Sequence, residues 1–307
     1  MTKVIKRSID WLGASVLLAL VAVLRRLGDR GADRLARAAA GMARIAVPSR
    51  RRVAMRNLRR AFGTSRNDPE LGAILRDAYV HAATAFTDLA LLYRLPPNGF
   101  GSRLEVRGEE HLKNAVARGK GVVGVSAHFG PFPMLGVAVP TLGVPLSFLY
   151  RRPKNPRVAA LFADWQARAG CGIIEDAPRH LAGRRCLEAL GRGGCVCLLV
   201  DQHYPAGVVV PFFGHPARTA IGAAFLAARS GAPLVPMRLT RVSPGRFRLT
   251  IDPPIEPPAD RSREALTACT ARLTACVEGW IREDPGAWFW VHRRWKDLDR
   301  QEDARVP

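Results

Sequence analysis

Acidic residues are scarce in this 307-residue chain: 26 Asp and Glu stand against 47 Lys and Arg, for a net charge of +21 and a pI near 11.1. The imbalance points to an anionic partner, whether nucleic acid, anionic lipid or an acidic protein, beside the plainer reading of a solvated basic face. Aromatic residues are few, at 7%. The mean hydropathy of −0.02 excludes a polytopic membrane protein. No GxGxxG or GxxxxGK(S/T) motif occurs, so nucleotide binding has no support. The six cysteines (Cys171, Cys186, Cys195, Cys197, Cys269 and Cys276) fit no zinc spacing and read as small buried hydrophobes in a reducing compartment; no metal or dissociable cofactor is expected. Internal repeats and low-complexity linkers are missing too.

What is present is enough apolar residue, 48%, to bury a sizeable core, which excludes wholesale disorder. Charge is concentrated early: residues 1–66 hold 16 Lys and Arg, only two of them Lys, against three acids. Arginine favours bidentate phosphate contact. Residues 11–24 carry no charge and are flanked by Lys3, Lys6, Arg7, Arg25 and Arg26. This run is short of the roughly 20 residues that span a bilayer. It reads as an uncleaved membrane-surface anchor whose arginines snorkel to headgroups, or else as an ordinary buried helix; the arginines after it do not suit signal cleavage. Two basic helices follow, over 29–47 and 50–62, and Asp68-Pro69-Glu70 starts another whose apolar positions recur at helical spacing.

After residue 100 the pattern alternates. Strand-like runs at 121–126, 145–150, 194–200, 233–239 and 246–252 are separated by helix-like runs at 108–118, 155–169, 179–191 and 217–231, and a last helix covers about 261–283. That succession implies an α/β fold, a mainly parallel sheet flanked by helices, with a helical, membrane-associated N-terminal segment. Residues 1–48 are expected to form that segment and 49–307 the main domain.

Candidate chemistry clusters where strands end. His128 follows the first run and is either a base or a structural histidine. Asp201 and Gln202 follow the third; they could orient a histidine, bind substrate or cap a turn. Phe212 and Phe213 form an apolar wall, and Arg218 and Thr219 are expected at a helix N-terminus, where a phosphate could sit. Arg151 and Asn155 belong to a cation-rich strand end. The aromatic and cationic stretch 288–296 suits a membrane interface or a stacked base. No zinc finger, basic zipper or RNA-binding aromatic motif supports a nucleic-acid partner.

Taken in order, several of these blocks resemble the lipid A biosynthesis late acyltransferases, within the wider lysophospholipid acyltransferase superfamily. The resemblance rests on Asn57-Leu58, 107–112, Gly119-Lys120-Gly121, His128-Phe129-Gly130, Tyr150-Arg151 with Asn155-Pro156, Asp201-Gln202, 210–214, Thr219 and the Trp-Val-His-Arg-Arg-Trp-Lys tail, over about residues 50–297. It implies transfer of a fatty acyl group from a thioester, on acyl carrier protein or coenzyme A, to a hydroxyl of a lipid A-type precursor. The expected place is the cytoplasmic face of a bacterial inner membrane, monotopic, on an anionic membrane surface. His128 would be the general base, Arg151 would meet substrate phosphate or developing charge, and Asn155, Gln202, Arg218, Thr219, Phe212 and Phe213 would bind substrate.

The family's motif is His, four residues, then Glu or Asp. Here that position is Pro133, and 129–150 contains no acid. A substitute is expected from elsewhere, Asp201 first and Asp176 second, unless His128 works alone. The other expectation is a catalytically inactive relative that binds lipid or acyl carrier protein.

Overall fold

The computed structural model describes residues 15, 18–63, 65–96 and 99–303. The N-terminal part is helical: α1 (Asp29–Ala46), α2 (Pro48–Phe62) and α3 (Asp68–Asp88). A capping box opens α3, with Asn67 accepting from the Glu70 backbone and Glu70 reaching back to Asn67 N–H. Part of the proposed anchor, residues 11–14, 16 and 17, lies outside the described residues. Of its described part Leu24 is buried with Ala32 and Ala90, while Leu18 and Val23 are exposed. Arg25 lies over the Tyr93 ring and pairs with Asp164. Among the described residues no helix is long and apolar enough to cross a membrane.

The α/β part has β1 (Leu104–Arg107), α4 (Glu109–Ala117), β2 (Val122–Ser126), β3 (Leu146–Tyr150), α5 (Pro156–Ala169), β4 (Gly172–Glu175), α6 (Arg179–Gly191), β5 (Cys195–Leu199), β6 (Val208–Phe212), β7 (His215–Thr219), α7 (Gly222–Ser230), β8 (Leu234–Ser243), β9 (Arg246–Ile251), α8 (Arg263–Glu283) and α9 (Lys296–Asp303). Seven strands form one sheet in the order β1-β9-β8-β2-β5-β3-β4. Only the β8–β9 pairing is antiparallel. All five strand runs expected from sequence are strands of this sheet. The short β1 and β4 were not anticipated.

Side chains alternate across the two central strands. Val123, Val125, Val196 and Leu198 face a core formed with α2, α3, α6, α7 and α8. Val122, Cys195 and Cys197 face the opposite core, formed with α4 and α5. Every residue of β2 is buried, as a strand covered on both faces requires. The cysteines are free thiols, four of them buried. Desolvation holds the thiol of Cys195 up at about 12, so it behaves as a small apolar side chain.

One expectation fails. Residues 215–219 are not the start of a helix: β6 and β7 form a separate antiparallel hairpin turning at Phe213 and Gly214, and the helix begins at Gly222. Val208, Val210 and Phe212 are buried while Val209 and Pro211 are exposed, an alternation that belongs to a hairpin with one covered face.

Candidate active site

The centre of the site follows from sheet register. β2 and β5 are parallel neighbours with Ser126 opposite Leu199. Two residues beyond that pair stand His128 and Asp201, at the carboxyl end of the sheet. The His128 Nδ1–H is directed at Asp201 Oδ1, 2.9 Å away. Asp201 Oδ2 accepts from the His128 backbone N–H (2.9 Å) and from the Trp288 indole N–H (2.8 Å). Asp201 is only 3% exposed. Burial alone would raise its pKa; the His128 ring and these donors outweigh that and hold it at about 2. Its companion Asp176 is elsewhere, accepting from Arg151 Nε at 3.2 Å.

With Nδ1 committed to Asp201, Nε2 faces outward and accepts from the Gln202 amide at 3.1 Å. The imidazole lies against Phe132 and Phe289, with ring centroids at 4.9 and 6.3 Å. It opens onto a cavity of about 320 Å³ lined mostly by apolar groups, among them Ala82, Phe86, Phe148, Leu149 and Trp165, with α3 and α5 as walls. Pro133, at the position of the missing acid, is part of that wall. Gly130 is constrained: its φ is +53°, and a Cβ would run into the Leu239 carbonyl oxygen.

The C-terminal tail holds the His128 loop in place. Phe289 N–H donates to His128 O (3.1 Å), and Gly130 N–H donates to Ala287 O (2.8 Å). Asn57 on α2 anchors the tail in turn, donating to the carbonyls of Trp290 (2.8 Å) and His292 (2.7 Å). The expected interface role of 288–296 is therefore corrected. Trp288, Trp290 and Trp295 are at most 1% exposed and pack with Phe212 and Phe213. Arg294 is fully buried and donates to the carbonyls of Gln202 and Arg218 and to Thr219 Oγ1, which ties the Asp201 loop to the hairpin. Burial pulls this guanidinium down to about 10, against the attraction of Asp201.

The sequence candidates thus separate. His128, Asp201 and Gln202 come together. Phe212, Phe213 and Thr219 are packed behind the site and do not line the cavity. Arg218 sits on a strand and pairs with Asp297 at 2.8 Å. Asn155 caps α5, its side-chain oxygen accepting from Arg157 and Val158 N–H. Arg151, 82% exposed, stands one strand over, past the end of β3. Trp288 and Arg294 were not singled out, because nothing in a run of mixed aromatics and cations tells a buried ligand of a carboxylate from a surface patch.

A buried carboxylate that orients a histidine, whose outer nitrogen meets only the Gln202 amide beside an apolar cavity, is an arrangement chemically able to take a proton from a substrate hydroxyl. The chain belongs to the bacterial lipid A biosynthesis acyltransferase family, whose family model matches residues 2–297, and it is an acyltransferase. It is 27% identical over 304 residues to the lipid A biosynthesis lauroyltransferase of Escherichia coli (strain K12), covering 94% of this chain and 91% of that protein. It is 26% identical over 224 residues to a phosphatidylinositol mannoside acyltransferase of Mycolicibacterium smegmatis, covering 70% and 71%. Among solved structures, the 1-acyl-sn-glycerophosphate acyltransferase PlsC of Thermotoga maritima aligns at TM-score 0.37 and 17% identity, over 69% of this chain and 88% of that one.

Proposed function

We propose that the protein transfers a fatty acyl group from a carrier thioester to a hydroxyl of a lipid A-type glycolipid precursor. Asp201 holds His128 in the Nδ1–H tautomer. Nε2, released by Gln202, takes the proton of the acceptor hydroxyl. The oxygen attacks the thioester carbonyl, the C–O bond forms, the C–S bond breaks, and the histidine returns its proton to the departing thiolate. The fatty chain occupies the cavity beside α3, and Arg151, exposed at its strand end, is assigned to a substrate phosphate. Acyl carrier protein, an acidic donor, suits the basic surface; coenzyme A is the other donor of this chemistry.

The observation that carries this reading is the carboxylate on His128 at the cavity mouth. Pro133 favours a second reading, an inactive relative that binds lipid or carrier, and the same carboxylate weighs against it. The proposed setting is the cytoplasmic face of a bacterial inner membrane, with residues 1–48 as the membrane-associated part and 49–307 as the transferase domain. The exposed apolar side chains Met42, Ile45 and Val47 support it.

The test is acyl transfer by purified protein from radiolabelled acyl carrier protein into a total lipid extract, beside His128→Ala. Label reaching lipid with wild type and not with the variant is the expected outcome. Absence of label from both, with lipid binding retained, would leave the inactive reading.

A further inference from the structure

A second concave feature lies on the three N-terminal helices, apart from the His128 cavity. Six arginines line it: Arg44 of α1, Arg51, Arg52, Arg56 and Arg59 of α2, and Arg76 of α3, around Met55 and Leu75. On α2 the spacing explains the gathering, since 52, 56 and 59 recur on one helical face while Ala54, Asn57, Leu58 and Phe62 are buried on the other. Arg59 pairs with Asp68, and Arg56 approaches Asp299. Arg44, Arg51, Arg52 and Arg76 have no acidic partner among the described residues. Like charges held together in a groove repel, and an anion relieves that repulsion. The Tyr79 hydroxyl, buried and without a hydrogen-bond partner among the described residues, lies within electrostatic reach of Arg51, Arg44 and Arg50.

One feature narrows the anion to one on a lipid. Met42 and Ile45 are 65% and 73% exposed and Val47 is 43% exposed, so an apolar tip projects at the α1–α2 junction beside Arg44, Arg51 and Arg52. An apolar tip beside guanidinium groups suits the boundary between acyl chains and phosphates. The groove shares α3 with the acyl cavity but opens on a different side of it: Arg76 and His81, five residues apart, are turned about 140° from each other around the helix.

We propose that this arginine groove is a binding site for the headgroup phosphate of an anionic membrane lipid. The site stands independently of the transferase reading.

Binding of the full chain to phosphatidylcholine vesicles doped with phosphatidic acid tests it. The combined Arg51→Gln, Arg52→Gln and Arg76→Gln variant should lose affinity on the order of a hundredfold, at about 1 kcal/mol per surface cation. Arg229→Gln, Arg261→Gln and Arg263→Gln together remove the same charge from exposed positions outside the groove and should cost less than about threefold. Arg-to-Lys exchange at the three groove positions keeps the charge and the fold but loses the bidentate fork, so a partial loss is expected. Equal losses from the groove and control sets would reduce the groove to diffuse charge and overturn the proposal. Displacement by inorganic phosphate as readily as by lipid phosphate, at fixed ionic strength, would make it a site for soluble phosphate. Loss of acyl carrier protein binding with vesicle binding intact would make it a protein-docking face; either result overturns the lipid assignment. The vesicle assay involves no turnover, so acyl transfer can fail while the groove stands, and the two failures are told apart.

Discussion

Asp201 carries three hydrogen bonds on two oxygens, and that crowding sets what each neighbour is worth. Asp201→Asn keeps the shape but presents an amide, which favours the wrong imidazole tautomer. Turnover should fall by up to about 10⁴-fold, the loss seen when a serine-protease triad is altered in this way, with the substrate KM little changed; steady-state acyl transfer measures both. Trp288→Phe removes one donor to a buried charge and should lower turnover between about tenfold and a hundredfold. His292 behaves differently. Burial lowers its pKa from 6.5 to about 4, so the unfolded chain takes up a proton at that position before the native one does. Stability from this group is present above pH 6.5 and is lost as pH falls toward 4. Urea midpoints at pH 6.5 and 4.5 should show a smaller acid loss for His292→Asn than for wild type. At this scale the sequence was legible where chain position alone decides the placement. His128, Asp201 and Gln202 stand at strand ends, and strands of Val, Leu and Cys are easily seen. Asn155, Phe212, Phe213 and Thr219 stood in the same kinds of place but serve capping and packing, which depends on neighbours far away in the chain.

Elements explain both the successes and the failure of the hairpin. The five expected strands lie between helical patterns, and the central ones, β2 and β5, are apolar runs buried on both faces. β6 and β7 are as long as β2, but they are one-sided, and the Ala and Arg content of 217–231 mimics a helix until the hairpin partner is known. The helices are joined to the sheet by charge as well as packing. Arg241, at the end of β8, pairs with Asp33 of α1 and Asp88 of α3, with all three side chains at most 12% exposed. Arg241→Met would leave two buried carboxylates facing each other and should destabilise the protein by about 3–5 kcal/mol, read as a lower urea midpoint. Burial already pushes Asp88 up to about 7 against the pull of Arg241, so the damage should be greatest at neutral to alkaline pH, where the carboxylate is charged.

The whole molecule carries +21, and the groove concentrates part of that charge on three helices. Binding to anionic vesicles should weaken steeply with salt, because the Debye length shrinks from about 10 Å at 0.1 M to about 3 Å at 1 M. A co-sedimentation series in sodium chloride reads this directly, and whatever binding survives high salt reports the apolar contribution. Net charge was plain in the sequence. Its gathering into a concave site was not, because Arg44, Arg51 and Arg76 become neighbours only when three helices pack.

In the family's motif, base and acid lie five residues apart, so a local segment could in principle assemble the pair. Here they are 73 residues apart and meet only because β2 and β5 lie side by side in register. The proposed pair is thereby tied to formation of the sheet: a nascent chain that has not yet made β5 has a histidine but no orienting carboxylate.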